Sequence, residues 1–135
     1  MQTEHETKNN PAAMNVLSLA YLGDSVWELF VREKVINTVH SNHADLLHKQ
    51  GVKYVNANAQ AKAVKAMIDE GFLSEAEVAL VKRARNHRTA TKSKNADAIT
   101  YKWATAFESL LGYLHLADKE RLAAVMNRAA EIIKA

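Results

Sequence analysis

Several residue types are scarce in this chain of 135 residues, and each shortage excludes a class of structure. There is no cysteine, which excludes disulfides and thiolate metal sites and is typical of a protein kept in a reducing compartment. One proline, four glycines and 48% hydrophobic residues argue against disorder and favour a compact, mostly helical core. No apolar run approaches about 20 residues, so the sequence predicts no membrane span.

The first residues are polar and lack the apolar core of a signal peptide. We therefore expect a cytoplasmic protein. We assign residues 1–14 to a polar N-terminal lead and residues 15–135 to one domain, because a chain of 15.0 kDa suits a single hydrophobic core and leaves no room for a second module.

Acidic residues are missing from residues 82–94. These 13 residues carry six cations, and because the whole chain has a net charge of +3, the other 122 residues carry −3. From about residue 86 to residue 95 there is no apolar period, which predicts an exposed loop. A basic patch on a slightly acidic body indicates a polyanionic partner, although a plain soluble surface is the alternative. The six cations, which we call the basic segment, are Lys82, Arg83, Arg85, Arg88, Lys92 and Lys94.

Hydrophobic spacing predicts helices joined by caps and turns, with no strand-like alternation, and hence an all-α fold. The central helix is predicted to have Asn10 as its cap and Pro11 as its first residue, and to run to about Asn37. A short helix follows, which Ser41 or Asn42 caps and which ends near Gly51. The third predicted helix covers residues 52–70, and Gly71 ends it. The last three begin at the capping box Ser74-Glu75-Ala76-Glu77, at residue 96 with Asn95 or Asp97 as cap, and at Asp118.

The central helix contains an acid in an apolar stretch. Residues 17–30 read LSLAYLGDSVWELF, and on a helical projection this segment is expected to be buried nearly all round. A carboxylate there costs roughly several kcal/mol unless a cation or hydrogen-bond donors meet it, so Asp24 is either paired with a local partner or functional. Glu28, one turn later on the same face, is a further candidate, with an ion pair to Arg32 as the alternative.

The fifth predicted helix also carries an acid among small and apolar neighbours. A wide apolar face includes Ile99, Trp103 and Phe107, and the opposite strip holds Tyr101, Thr105, Glu108, Gly112 and His115. Three histidines, His40, His43 and His48, lie near the short helix. Their spacing does not place them on one helical face, which favours solvated or capping side chains over a zinc site.

Two stretches resemble the ribonuclease III family. Leu19-Ala20-Tyr21-Leu22-Gly23-Asp24-Ser25-Val26 is similar to the LEFLGDSV signature of its catalytic domain. Ala104-Thr105-Ala106-Phe107-Glu108-Ser109-Leu110-Leu111-Gly112 is similar to the later ADAFEALIG helix. The resemblance runs from about residue 15 to residue 128 and is strongest to Mini-ribonuclease III, the short bacterial branch without a double-stranded-RNA-binding domain.

This resemblance implies the helical ribonuclease III catalytic domain, a Mg²⁺ cofactor held by Asp24 and Glu108 as the catalytic acids, and a homodimer whose two sites face one RNA duplex. It also implies 5′-phosphate and 3′-hydroxyl products, and precursor 23S ribosomal RNA as the substrate of the short branch. The basic segment would then position the RNA. Ala20 and Thr105 stand where the larger enzymes carry acids, a loss that the short branch shares and that puts a tightly bound metal pair in doubt.

The prediction is therefore a Mg²⁺-dependent endoribonuclease acting on double-stranded RNA. The alternatives are a non-catalytic RNA-binding or ribosome-associated protein with the same fold, and a helical interaction module with a basic loop. Retention of both Asp24 and Glu108 favours the enzyme, since a pure RNA binder has no reason to bury two acids near a polyanion.

Overall fold

Six α-helices and one short 3-10 turn make up the part of the chain that the computed structural model describes, residues 10–87 and 96–135. The all-α prediction is confirmed, and no strand occurs in those residues. The 3-10 turn spans Pro11–Ala13, and the helices are α1 (Val16–Thr38), α2 (Ala44–Val52), α3 (Ala57–Asp69), α4 (Glu75–Arg85), α5 (Ala96–Ala117) and α6 (Lys119–Lys134). None of these helices is long and apolar enough to cross a membrane.

Local capping signals account for most helix boundaries. The Ser74–Glu77 capping box is present in both directions, and Gly71 has the positive φ of 73° that ends the preceding helical segment. Asp118 caps α6 through a bond from the Arg121 amide to its Oδ1. Asn10 caps as predicted, but it caps only the 3-10 turn.

Three predicted starts were wrong. The central helix begins only at Val16, because Asn15 supplies a second cap and accepts a hydrogen bond from the Leu17 amide at 2.7 Å. At α2 the cap position is His43, whose side chain makes no capping bond. The third helix starts at Ala57 and not at residue 52, since the Asn56 side chain bonds both the chain before it and the Ala59 amide after it.

Helix α5 lies at the centre of the fold and packs against α1, α3, α4 and α6. Trp27 of α1 is fully buried and ties three elements together. Its ring meets Phe107 of α5 edge-on at 5.0 Å, and its Nε1 donates to the carbonyl of Tyr54, between α2 and α3, at 2.9 Å. A buried indole with its N–H satisfied packs without a polar penalty.

Two arginines of α6 fasten that helix to the end of α3 and the first turn of α4. Arg121 donates through Nε and Nη2 to the carboxylate of Glu77, at 2.9 and 2.8 Å, and this contact holds the pKa of Glu77 below its ordinary value. Arg128 makes a similar forked contact with Glu70 at 2.7 and 2.6 Å. Such bidentate pairs have a defined geometry, so they fix how α6 lies on the domain.

The expectation that α1 is buried nearly all round is wrong for the single chain. Tyr21, Leu29 and Ile36 are 84%, 61% and 57% exposed, and Leu17 is 40% exposed. These residues lie along one side of α1, with Asp24, also exposed, at its edge. The periodicity of apolar residues does not show what packs against each of them. None of residues 10–87 and 96–135 covers this side of α1.

Helices α1 and α5 touch backbone to backbone at two glycines. A Cβ on Gly23 would overlap the carbonyl oxygen of Glu108, and a Cβ on Gly112 would overlap the carbonyl oxygen of Leu19. The buried Ser109 hydroxyl adds a bond across the same interface, donating to the Val16 carbonyl at 2.7 Å. Glu108 and Gly112 belong to the strip predicted to lie opposite the apolar face of α5. Part of that strip therefore forms the contact with α1.

The variant Gly112→Ala should lower the free energy of unfolding by about 2 kcal/mol or more, because a methyl group forces two helix backbones apart. Gly51→Ala is the matched control, since a Cβ there meets only the Val31 side chain at 3.8 Å, an ordinary contact. That control should be neutral or slightly stabilising, as alanine favours a helix more than glycine does. Urea unfolding measures both, and equal stability of the two variants would contradict the tight crossing.

Candidate active site

Asp24 and Glu108 are brought together by the α1–α5 crossing. Asp24 follows Gly23 directly in α1, and Glu108 is the α5 residue whose carbonyl Gly23 faces. Their carboxyl groups lie within hydrogen-bond reach of each other. The two acids are 84 positions apart in the sequence, and the close approach of the helices brings them together.

The raised pKa of Glu108 indicates that no positive charge in the described part of the chain neutralises the two acids. Burial raises the pKa of Glu108 from its ordinary 4.5 to about 8, and the hydrogen bond and negative charge of Asp24 add to the effect. Two carboxylates at this separation resist being ionised together. Among the described residues, neither acid forms an ion pair with a basic side chain. The pair can therefore hold a proton or, in its place, a cation.

Glu28 has a partner of its own. Its Oε2 accepts a hydrogen bond from Arg32 Nε at 3.1 Å, one turn further along α1. The alternative role predicted for Glu28, an ion pair with Arg32, is therefore present. The Arg32 side chain is largely exposed and that of Glu28 is partly exposed, so water screens the pair and it contributes little stability.

The positions that lack acids lie close to the pair in sequence. Ala20, one turn before Asp24, is buried, and Thr105, three residues before Glu108, is half-buried. No group of three or more His, Cys, Asp or Glu side chains in residues 10–87 and 96–135 has the arrangement of a metal site, and this includes the three histidines near α2. A cation at Asp24 and Glu108 would have two protein carboxylates as its charged ligands.

Half of the basic segment falls within the described residues. Lys82 and Arg83 are exposed in the last turns of α4, and Arg85 is half-buried at its end. Arg88, Lys92 and Lys94 lie outside the described residues. The structure therefore bears on three of the six predicted RNA-binding side chains, and it places them on α4, beside α5.

The structure adds two residues to this basic region that the sequence did not single out. The Arg85 guanidinium lies over the ring of Trp103 at 4.8 Å, and the Lys65 Nζ of α3 lies 5.5 Å from the same ring. The hydrophobic spacing places Trp103 on the apolar face of α5. The missed signal was an aromatic residue at the edge of that face, where neighbouring helices can bring cations to it.

Comparison with known proteins assigns the family. Residues 17–119 match the model of the Ribonuclease III domain. A Mini-ribonuclease 3 of Enterococcus faecalis is 43% identical over 115 residues, which cover 84% of this chain and 86% of that protein. A Mini-ribonuclease 3 of a Thermoanaerobacter species is 40% identical over 133 residues, covering 98% of this chain and 92% of the relative.

A solved structure agrees with this assignment. A crystal structure of a protein from Fusobacterium nucleatum has a TM-score of 0.73 and 32% sequence identity, and the match covers 88% of this chain and 93% of that one. The residues matched by the family model, 17–119, include both Asp24 and Glu108. The chain therefore belongs to the ribonuclease III family of endoribonucleases.

Proposed function

We propose that this endoribonuclease uses Mg²⁺ to hydrolyse phosphodiester bonds in double-stranded RNA, with Asp24 and Glu108 as its catalytic, metal-holding acids. The observation that carries the proposal is the meeting of two carboxyl groups from different helices with no basic partner among the described residues. Pairing two like charges at a partly buried point is costly for folding. A function that needs both carboxylates explains why the protein retains this unfavourable arrangement.

The donor set fits a hard divalent cation. Carboxylate oxygens and waters are the ligands that Mg²⁺ prefers, and an ion at the pair would relieve the repulsion that raises the pKa of Glu108. When bound, Mg²⁺ activates water and offsets the charge that builds on phosphate oxygens. Asp24 and Glu108 would hold and orient it. Because Ala20 and Thr105 supply no further carboxylate, we expect the ion to bind weakly. It would keep several waters and depend on substrate phosphates for further ligands.

The chain's own cations position the substrate in this proposal. Duplex RNA is recognised mainly by its shape, its phosphates and its 2′-hydroxyls. Lys82, Arg83 and Arg85 of the basic segment, in the last turns of α4, supply charges of the right kind. Cleavage is expected to leave a 5′-phosphate and a 3′-hydroxyl.

We propose that the enzyme works as a homodimer joined through the exposed side of α1. Leu17, Tyr21, Leu29 and Ile36 present apolar surface there. A groove of about 480 Å³ between α1 and α2 continues this side, with Val35, Ile36 and Leu47 in its lining. Asp24 lies at the edge of the same surface, so a symmetric pair would set two carboxylate sites on one duplex.

The proposed cellular substrate is precursor 23S ribosomal RNA, which rests on the resemblance to Mini-ribonuclease III. The proposed compartment is the cytoplasm, in keeping with the absence of cysteine.

The first prediction tests the two acids. Asp24→Asn and Glu108→Gln should each lower the rate of duplex cleavage by roughly 100-fold or more, because each removes a ligand charge that supports several kcal/mol of transition-state stabilisation. Duplex binding should remain. Glu33→Gln, on an exposed acid of α1, is the control and should cleave normally. A non-catalytic RNA-binding protein would cleave in no variant, the wild type included.

The second prediction concerns stability and pH in the absence of divalent ions. Between pH 4.5 and about 8 the folded chain keeps a proton on Glu108 that the unfolded chain has released, so this group lowers stability as pH rises through that window. Glu108→Gln cannot titrate, so its melting temperature should rise above that of the wild type increasingly from pH 5 to pH 8. Glu120→Gln is the exposed control. A constant difference between Glu108→Gln and wild type across this range would contradict the shared proton.

The third prediction tests the dimer. Ile36→Glu places a charge on the exposed side of α1, three turns from Asp24, and should convert the protein to monomers in sedimentation experiments without unfolding it. Leu116→Glu, on a similarly exposed residue of α5, is the control and should stay dimeric. A wild-type protein that sediments as a monomer would exclude this assembly.

A further inference from the structure

Charge is distributed unevenly along α3 and α4. The acids Asp69, Glu70, Glu75 and Glu77 flank the connection between the two helices. Glu70 and Glu77 are neutralised by arginines of α6. The cations lie further from that connection, on the body of α3 and at the end of α4, and they are Lys62, Lys65, Lys82, Arg83 and Arg85.

None of these five cations has a carboxylate within 4.0 Å among the described residues. The arginines that do form ion pairs there are Arg32, Arg121 and Arg128. A folded domain normally intersperses its surface charges, since unpaired like charges repel. Two acids of this region, Glu70 and Glu77, thus hold α6, and the five cations are left available to an external anion.

Trp103 draws two of these cations to one place. Lys65 comes from α3 and Arg85 from α4, and both approach the same half-buried ring of α5, at 5.5 and 4.8 Å from its centroid. The negative face of an indole ring attracts a cation, which helps to offset the repulsion between Lys65 and Arg85. Arg85 is oriented further, because its Nε donates to Asn86 Oδ1 at 3.0 Å. Both charges are therefore positioned before any ligand arrives.

We infer that Lys65 and Arg85, gathered on the ring of Trp103, form a phosphate-binding site for the backbone of duplex RNA. Lys65 thereby extends the RNA-binding surface from the basic segment onto α3. This inference rests on the proposed function and names a part of its substrate surface.

The site lies apart from the scissile bond. Trp103 precedes Glu108 by five residues, which is about 7.5 Å along α5 and about 140° around it. The backbone of α5 touches α1 at Glu108, whereas the Trp103 ring meets side chains of α3 and α4. Lys65 therefore anchors the duplex at a distance from the cut, and its loss raises KM while leaving kcat unchanged.

The test is the affinity for a short RNA duplex across a salt series, with Ca²⁺ in place of Mg²⁺. Lys65→Met keeps an apolar stem beside the ring and removes only the charge, so the fold is retained. The slope of log affinity against log salt should flatten by roughly 0.9, as expected when one phosphate contact is lost. Lys65→Arg should restore the slope, and Lys119→Met, on an exposed lysine of α6, should leave it unchanged.

A Lys65→Met variant that binds with the wild-type slope would overturn the inference, and the proposed function would stand. The same holds if Lys65→Met lowers the melting temperature and Lys65→Arg fails to restore binding, because the lysine would then act through packing. If the wild type binds no duplex RNA at all, both the site and the proposed function are wrong.

Discussion

The contact between the backbones of α1 and α5 is the constraint on which the rest of the structure depends. Gly23 and Gly112 each face a carbonyl of the opposite helix, and there is no room for a side chain at either point. Because Asp24 follows Gly23 and Glu108 is the residue that Gly23 touches, the same contact sets the distance between the two acids. Packing and chemistry thus share one geometric requirement, and a change that widens the crossing separates the carboxyl groups.

The α1–α5 crossing also affects the ionisation of the acids that it brings together. Two acids meet at a partly buried point, and the pKa of Glu108 rises to about 8 in consequence. The acids near the α3–α4 connection behave in the opposite way, since Arg121 and Arg128 hold the pKa values of Glu77 and Glu70 below their ordinary value. The carboxylates of Glu70 and Glu77 stabilise the fold through these ion pairs. Asp24 and Glu108 are left without a basic partner among the described residues, in keeping with the proposal that together they hold a cation.

Local signals predicted much of the fold. The Ser74–Glu77 capping box, Gly71 and Asp118 each act through their own or adjacent backbone, so the sequence locates them without knowledge of the rest of the chain. The start of α3 was missed because the Asn56 side chain bonds in both directions, and the pattern of apolar residues does not reveal that. The exposed side of α1 was missed because burial depends on what packs against a residue.

The candidate site was predictable only in part. The resemblance to the ribonuclease III family singled out Asp24 and Glu108, but spacing alone left a structural role for either acid open. Their meeting is a tertiary fact that arises from the two glycines. Lys65 could not be selected, since an exposed lysine on a helix is ordinary until Trp103 brings it beside Arg85.

The central claim is that Asp24 and Glu108 together hold the catalytic cation, and the most direct measurement locates that ion. Crystals of the protein grown or soaked with Mn²⁺ as a substitute for Mg²⁺ would show the metal by its anomalous scattering. The account predicts an anomalous peak in contact with both carboxylates, and its absence from Glu108→Gln crystals. A peak at some other group of side chains, with the two acids still bonded only to each other, would contradict it.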